Sequence, residues 1–419
     1  MTGKTICPLC QSEHTDCILH LASIPTSNTI VCTDRLTAET WPRGSLRLSQ
    51  CHRCGFLFNA DFDPLLVEYS ARNEEAQGFS HHFLRYARSL AREWIQRYGI
   101  RNQTVLEVGC GKAEFLAILC EMGANIGIGY DPAVQVGRLD REVGRGLTLI
   151  ADVFDERAMD VAADVLVCRH TLEHIGDVSG FLRTLHRWAV ERAEPPILCF
   201  EVPAVERVLE EIAFWDLFYE HCSYFTIDTL KFAFERAGFD VLDIRRAYDD
   251  QYLIVEARPS TDAPASVSAD RHGVATAVAL ARSFATRYQS AAANCRQNLE
   301  RLAGSDKPVV LWGAGSKAVS FLTSLTVDDL VAFTVDINPH KQSTYLVGTS
   351  RQVVGPDQLR GAGPMHVVVM NPAYLTEVAE TLRGIGANAF VHSVTDLVLA
   401  PPPDGATSRH SRKGGNGYE

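Results

Sequence analysis

No apolar run in these 419 residues approaches the roughly 18–20 needed to span a bilayer. The opening segment, MTGKTICPLC, has neither the basic n-region nor the apolar h-region of a secretory signal peptide. An excess of positive charge is missing too: 40 Lys and Arg stand against 51 Asp and Glu, a net −11. Phosphate backbones demand clustered cations, so this balance argues against nucleic acid as the main partner. Twelve cysteines are too few for a disulfide scaffold at this length. No tandem repeat with a solenoid period occurs. What is present is ordinary globular material, 46% hydrophobic, enough for about two to four domains. A soluble, cytoplasmic protein with no membrane partner is the expectation.

The cysteines are unevenly placed. Cys7, Cys10, Cys17, Cys32, Cys51 and Cys54 crowd the first 54 residues, and the other six lie singly in apolar segments as small core residues. Cys7-Pro-Leu-Cys10 and Cys51-His-Arg-Cys54-Gly55 are two C-x-x-C knuckles. Each presents two thiolates from one tight turn, and together they complete a closed tetrahedral zinc site, structural rather than catalytic. A redox dithiol would sit beside a helix in a thioredoxin-like unit, and nothing of that kind surrounds them. His14, Cys17 and Cys32 are the alternative ligands.

Hydrophobic periodicity then divides the chain. Phe83, Tyr86, Ala87, Leu90, Ala91, Trp94 and Tyr98 recur at steps of three and four, which predicts a helix over about 79–99. After it, strand-like and helix-like segments alternate, the pattern of parallel βαβ units. The expected fold is α/β: a small N-terminal zinc-binding module (1–70), a central Rossmann-like domain (71–258) and a linker rich in Pro, Ser, Ala and Asp (259–272). A C-terminal Rossmann-like α/β domain with a leading helix (273–398) and a disordered tail (399–419) follow.

Two strand-to-helix turns carry glycines. In the first, Glu107-Val108-Gly109-Cys110-Gly111, the glycines let backbone approach a ligand and Glu107 can hydrogen-bond an ammonium or hydroxyl. Acids or polar residues close the successive strands at Asp131, Asp152-Val153 and Arg169-His170. This series resembles the S-adenosylmethionine site of Rossmann-like methyltransferases. The resemblance makes Glu107, Gly109, Cys110, Gly111, Asp131, Asp152, Val153, Arg169 and His170 the cofactor-binding set, with Asp131 on the ribose and Asp152-Val153 beside adenine. The second turn, Gly313-Ala314-Gly315-Ser316-Lys317, suits a phosphate or carboxylate cradle, or else a degenerate domain that only closes over the site.

Taken with Pro25 to Asn28, Leu172-Glu173-His174-Ile175, Glu220-His221-Cys222-Ser223-Tyr224-Phe225 and Asn371-Pro372, the chain resembles one family over about residues 5–395. That family is the three-domain, zinc-containing C-methyltransferases typified by the sugar-nucleotide enzymes of antibiotic biosynthesis. The resemblance implies a keto sugar nucleotide or similar activated small molecule, methylated through an enolate. A base near neutral pKa and an oriented acid are then needed, and His221 with Glu220 supplies both. His174, on the helix after the fourth strand, and Tyr224 complete the catalytic candidates. Asn28, Phe79, His82, Tyr219 and Lys317 are the candidates for substrate contact. Two strings depart from the sugar enzymes. Phe218-Tyr219-Glu220-His221 stands where they show Tyr-His-Glu-His, and Glu74-Glu75-Ala76-Gln77-Gly78-Phe79-Ser80 stands where they show a tyrosine-bearing stretch. A sister branch is therefore expected. Methylation of oxygen or nitrogen, or a zinc- and cofactor-binding scaffold without activity, are the other readings.

Overall fold

The computed structural model describes residues 5–399 except 136, 139–143, 145 and 261–266. Part of the expected linker, and the expected tail from residue 400 on, lie outside the described residues.

In the N-terminal module, β1 (Thr15–Pro25) pairs antiparallel with β2 (Arg43–Cys51), and β2 with β3 (Leu57–Asn59). The first knuckle precedes β1. The second forms the turn between β2 and β3, where Gly55 takes a φ of 79° that a side chain would resist. Helix α1 (His81–Tyr98) follows, capped by the Ser80 hydroxyl and closed by left-handed Gly99. It buries Phe83, Ala87, Leu90, Ala91, Trp94 and Ile95, the stripe expected from its spacing, while Tyr86 and Tyr98 sit at the margin.

The central sheet comprises β4 (Thr104–Val108), β5 (Ile126–Tyr130), β6 (Leu147–Ile150), β7 (Val165–Arg169) and β8 (Ile197–Pro203). Helices α2 (Glu114–Gly123) and α3 (Val178–Val190) cross between strands, and α4 (Val205–Glu211) follows β8. The two-residue β9 (Ser223–Tyr224), helix α5 (Ile227–Arg236) and the hairpin β10 (Phe239–Ala247) and β11 (Tyr252–Pro259) complete this part. Strand order is β10-β11-β8-β7-β4-β5-β6, with the first five strands parallel and the hairpin antiparallel. The order reverses at β4, and ligands of open α/β sheets bind at the carboxyl ends of strands beside such a reversal.

A 33-residue helix, α6 (Arg271–Ala303), leads into a second parallel sheet. It contains β12 (Val309–Trp312), β13 (Phe333–Val335), β14 (Val353–Val354), β15 (Met365–Val369) and β16 (Ala389–Ser393) in the order β14-β13-β12-β15-β16. Helices α7 (Ser316–Leu325) and α8 (Leu375–Gly384) cover it.

The three parts share cores instead of owning them. β9 adds antiparallel to β3, so a segment of the central domain extends the N-terminal sheet. Val31–Cys32 pairs with Tyr345–Leu346, tying the same module to the C-terminal domain. The four knuckle cysteines pack with Phe56, Phe225 and Trp188 of one continuous core, and Trp215 with Phe284 and Phe321 of another. Each aromatic buried this way stabilises by about 1.5–3 kcal/mol, across a boundary. Among the described residues, no helix is long and apolar enough to cross a membrane.

Candidate active site

The turn after β4 opens onto a cavity of about 630 Å³ that extends to the C-terminal domain. Gly109 and Gly111 have φ of 73° and 53°. Their missing side chains leave room for protein: a Cβ on Gly109 would fall 1.9 Å from Thr171 Oγ1, and one on Gly111 2.8 Å from Glu75 Oε1. The glycines are thus required by packing as well as by any ligand. Asp131, just beyond β5, fixes the turn by accepting from Gly111 N (2.9 Å) and Ala133 N (2.6 Å). Glu107 is buried, its Oε2 has no hydrogen-bond partner, and burial lifts its pKa to about 8 although Arg169 opposes this. Along the same cavity, Asp152 caps Val153 N at 2.8 Å and pairs with Arg157, while Val153 is half-exposed. Buried Cys110 turns its sulfur toward Gly129.

At the end of β7, Arg169 binds Glu201 Oε1 (2.8 Å) and stacks on Phe115 with its guanidinium 4.0 Å from the ring. His170, in left-handed backbone, brings Nε2 to 2.6 Å from Glu201 Oε1, a contact short but poorly aligned as a hydrogen bond. Tyr86 donates to the other Glu201 oxygen at 2.6 Å. Burial disfavours charge on both partners, yet attraction prevails: Arg169 and His170 hold Glu201 down to about 2, and Glu201 with Glu173 lifts His170 to about 9. Sequence reasoning passed over Glu201. Its signal was a lone acid inside the apolar strand Ile-Leu-Cys-Phe-Glu-Val.

The far wall gathers the catalytic candidates. His174 lies on a single turn, Leu172–His174, ahead of α3 and not on that helix as expected. Its ring meets that of His221 edge-on at 4.7 Å between centroids. Tyr69 places its hydroxyl 2.9 Å from His174 Nδ1. This phenol, in an aperiodic loop, went unrecognised in the sequence. Glu173 is buried with Oε2 unpartnered, and its carboxylate lies within 4.8 Å of the His174 and His221 nitrogens. Glu220 is buried and accepts from Asn28 N at 3.1 Å, so the N-terminal module fixes it and it makes no hydrogen bond to His221. Burial raises the Glu220 pKa against the pull of His174. Burial, aided by His174, pushes His221 well below the usual histidine range, leaving a neutral imidazole.

Several expected contacts are redirected. The Tyr224 hydroxyl accepts from Phe218 N (3.2 Å) and donates to Phe218 O (3.0 Å), a clasp within its own loop. Tyr219 is buried against Phe62 in the space Gly44 leaves open, and its hydroxyl accepts from Asp63 N. It lies away from the cavity because its ring completes the N-terminal core. His82 packs between Tyr248 and Tyr374, away from the cavity, and Asn28 acts on it only through Glu220. Phe79 and Lys317 do line the cavity, and Lys317 is paired with Asp216.

The two knuckles meet. Sγ atoms of Cys7 and Cys54 are 3.7 Å apart, those of Cys10 and Cys51 3.5 Å, and all four lie buried within 4.8 Å of one another. An all-sulfur donor set of this shape suits a tetrahedral soft cation. His14, Cys17 and Cys32 fall outside it.

A reversed parallel sheet, a glycine turn at the reversal and an acid clasping that turn from the next strand define a Rossmann-like domain with its ligand site at the reversal. Residues 83–244 match the family described as Methyltransferase domain, and residues 256–394 that described as C-methyltransferase C-terminal domain. The chain is a methyltransferase that joins these two domains behind a four-cysteine module. It is 24% identical to the C-methyltransferase NovU of Streptomyces niveus over 313 residues, 71% of this chain and 73% of that protein. Over 100 residues it is 32% identical to a ubiquinone biosynthesis O-methyltransferase of Pseudomonas paraeruginosa, covering 22% of this chain and 43% of that one. A solved structure of a Burkholderia thailandensis 1,6-didemethyltoxoflavin-N1-methyltransferase is 18% identical, covering 42% of this chain and 78% of its own, with a TM-score of 0.33.

Proposed function

We propose that this methyltransferase uses S-adenosylmethionine to methylate a carbon next to a ketone on a small activated acceptor, a keto sugar nucleotide being the first choice. The observation that carries this reading is one cavity joining the Gly109–Gly111 turn to His174, His221, Glu220 and Tyr69. The donor fits the residues present: Glu107 has a free buried oxygen, and Asp131 and Asp152 close successive strands. When bound, adenosylmethionine supplies an electrophilic methyl group. The protein's own work is to orient the acceptor, exclude water and move one proton.

His221 is the base. Its neutral ring takes the proton at a free ring nitrogen, and Glu173, with a carboxylate oxygen within 4.8 Å, offsets part of the charge that results. Tyr69, poised on His174, donates toward the oxygen that becomes negative, in place of the phenol that Phe218 lacks. The four cysteines hold a structural zinc, which keeps β2 and β3 in place under Glu220. Similarity to NovU favours transfer to carbon. Match to an O-methyltransferase over a short segment favours only the shared donor domain.

The test is incubation of candidate keto sugar nucleotides with the enzyme in deuterated solvent. Wild type is expected to exchange the α-hydrogen and to add one methyl to carbon by mass spectrometry. His221→Ala should lower kcat about 10²-fold or more, and Glu220→Gln less. Methylation on oxygen or nitrogen without exchange would overturn the reading. Exchange that survives in His221→Ala but vanishes in His174→Ala would move the base to His174.

A further inference from the structure

The first glycine turn leaves itself almost no free backbone donors. Gly109 N and Cys110 N both donate to Tyr130 O, Gly111 N to Asp131, and Ala113 N to Cys110 O. An anionic group arriving at this turn must therefore find its partner on a side chain. Lys112 is placed for that role. Its ammonium is almost fully buried, and its nearest acceptors, Ala133 O at 3.4 Å and Glu75 Oε1 at 3.7 Å, are both longer than the roughly 2.7–2.9 Å of a charge-assisted bond. A buried ammonium so loosely compensated is costly unless an anion joins it.

Glu75 is the acid beside it: burial raises its pKa to about 7 against the pull of Lys112, and an arriving ammonium favours its carboxylate form. Its side chain is two-fifths exposed, lines the same cavity and lies against Gly111 from across the turn. A carboxylate and an ammonium thus face each other over a gap of a few ångström, at the point where the turn meets the cavity. An α-amino acid carries the complementary pair on one carbon.

We propose that Glu75 and Lys112 form a paired-charge clamp for the amino-acid end of the methyl donor, Glu75 taking its α-ammonium and Lys112 its α-carboxylate. The proposal rests on the donor assignment above. It gives a role to the Glu74-Glu75 stretch that replaces the tyrosine-bearing segment of the related sugar enzymes.

Titration calorimetry separates the two claims. The ligands are S-adenosylhomocysteine, which keeps the amino-acid end, and 5′-methylthioadenosine, which lacks it. Glu75→Gln and Lys112→Met should each weaken S-adenosylhomocysteine by about tenfold or more and leave 5′-methylthioadenosine unchanged within about twofold. Unchanged S-adenosylhomocysteine affinity, or equal weakening of both ligands, would overturn the clamp. Failure of the wild type to bind S-adenosylhomocysteine would overturn the donor assignment itself. Because Glu75 is partly exposed on a loop, its arm decides the matter even if Lys112→Met does not fold.

Discussion

The two glycine turns of this chain are built alike and charged differently. In the first, Asp131 accepts from Gly111 N at 2.9 Å and from Ala133 N at 2.6 Å. In the second, Asp336 accepts from Ala314 N at 2.9 Å and from Asn338 N at 2.8 Å. Two residues before the leading glycine, however, the first unit has Glu107 with an unpartnered oxygen, and the second has Leu311. Of the cations of the second unit, Lys317 is taken up by Asp216, whereas Lys341 lies 3.7 Å from Asp336, no tighter than Lys112 to Glu75. A strand, a glycine turn and a clasping acid make the scaffold of a ligand site. Which charges remain unanswered decides whether a ligand comes.

The largest effect should come from the module whose knuckles pack into the first unit, while its Val31–Cys32 strand reaches the second. The knuckles pack into the core of the first sheet, and Ser179 donates to Leu9 O at 3.1 Å. Where an ion is held this way, its binding free energy, on the order of 10 kcal/mol, is folding free energy. With the proposed zinc bound at the four cysteines, Cys51→Ser should therefore abolish metal binding and unfold the first unit before the second, read by elemental analysis and hydrogen exchange. A folded, zinc-free wild type would break the account of the module.

Next come the glycines themselves. Gly109→Val drives a Cβ to 1.9 Å from Thr171 in left-handed backbone and should destabilise by about 3 kcal/mol or more. Gly313→Ala meets nothing nearer than Met370 Cβ at 3.7 Å, so only backbone strain remains, about 1–3 kcal/mol. Equal losses in denaturant unfolding would erase this distinction between the turns. Of comparable size, Lys317→Met should lower stability by about 1–3 kcal/mol, since its pair with Asp216 is largely buried and Arg207 still faces the acid, and leave S-adenosylhomocysteine affinity intact. A clear loss of that affinity would give the second turn a part in donor binding.

A further effect is electrostatic and depends on pH. The His170 pKa lies near 9 in the folded chain, above the ordinary 6.5, because Glu201 and Glu173 outweigh its burial. Its charge thus contributes stability in full below about pH 6.5, and that contribution fades as pH rises through 9. The Tm gap between wild type and His170→Asn should narrow over that window. A constant gap would show that His170 is not held charged.

Much of this scaffold was legible in the sequence, because periodicity and turn chemistry report local structure. Ile126–Tyr130 and Leu147–Ile150 lie where their apolar runs begin and end, and the paired knuckles announced their own meeting. Contacts between distant segments were not legible. Ser223–Tyr224 is too short a strand to show alternation, yet it joins the central domain to the N-terminal sheet. Tyr69 and Glu75 stand in a loop without period, and only the folded chain sets them against His174 and Gly111. Tyr219 reads as a site residue from its neighbours in the chain, whereas it lies away from the cavity with its hydroxyl on the backbone at Asp63; Tyr224 does line the cavity, with its hydroxyl bound to the backbone at Phe218. Position along a motif does not say which way a ring turns.

One measurement goes to the centre of the comparison: calorimetric binding of S-adenosylhomocysteine to wild type, Asp131→Asn and Asp336→Asn. If the first turn is the donor site and the second a structural counterpart, wild type binds one equivalent, Asp131→Asn weakens by about tenfold or more, and Asp336→Asn binds as wild type does. Weakening by Asp336→Asn with Asp131→Asn unaffected, or no binding by wild type, would contradict it.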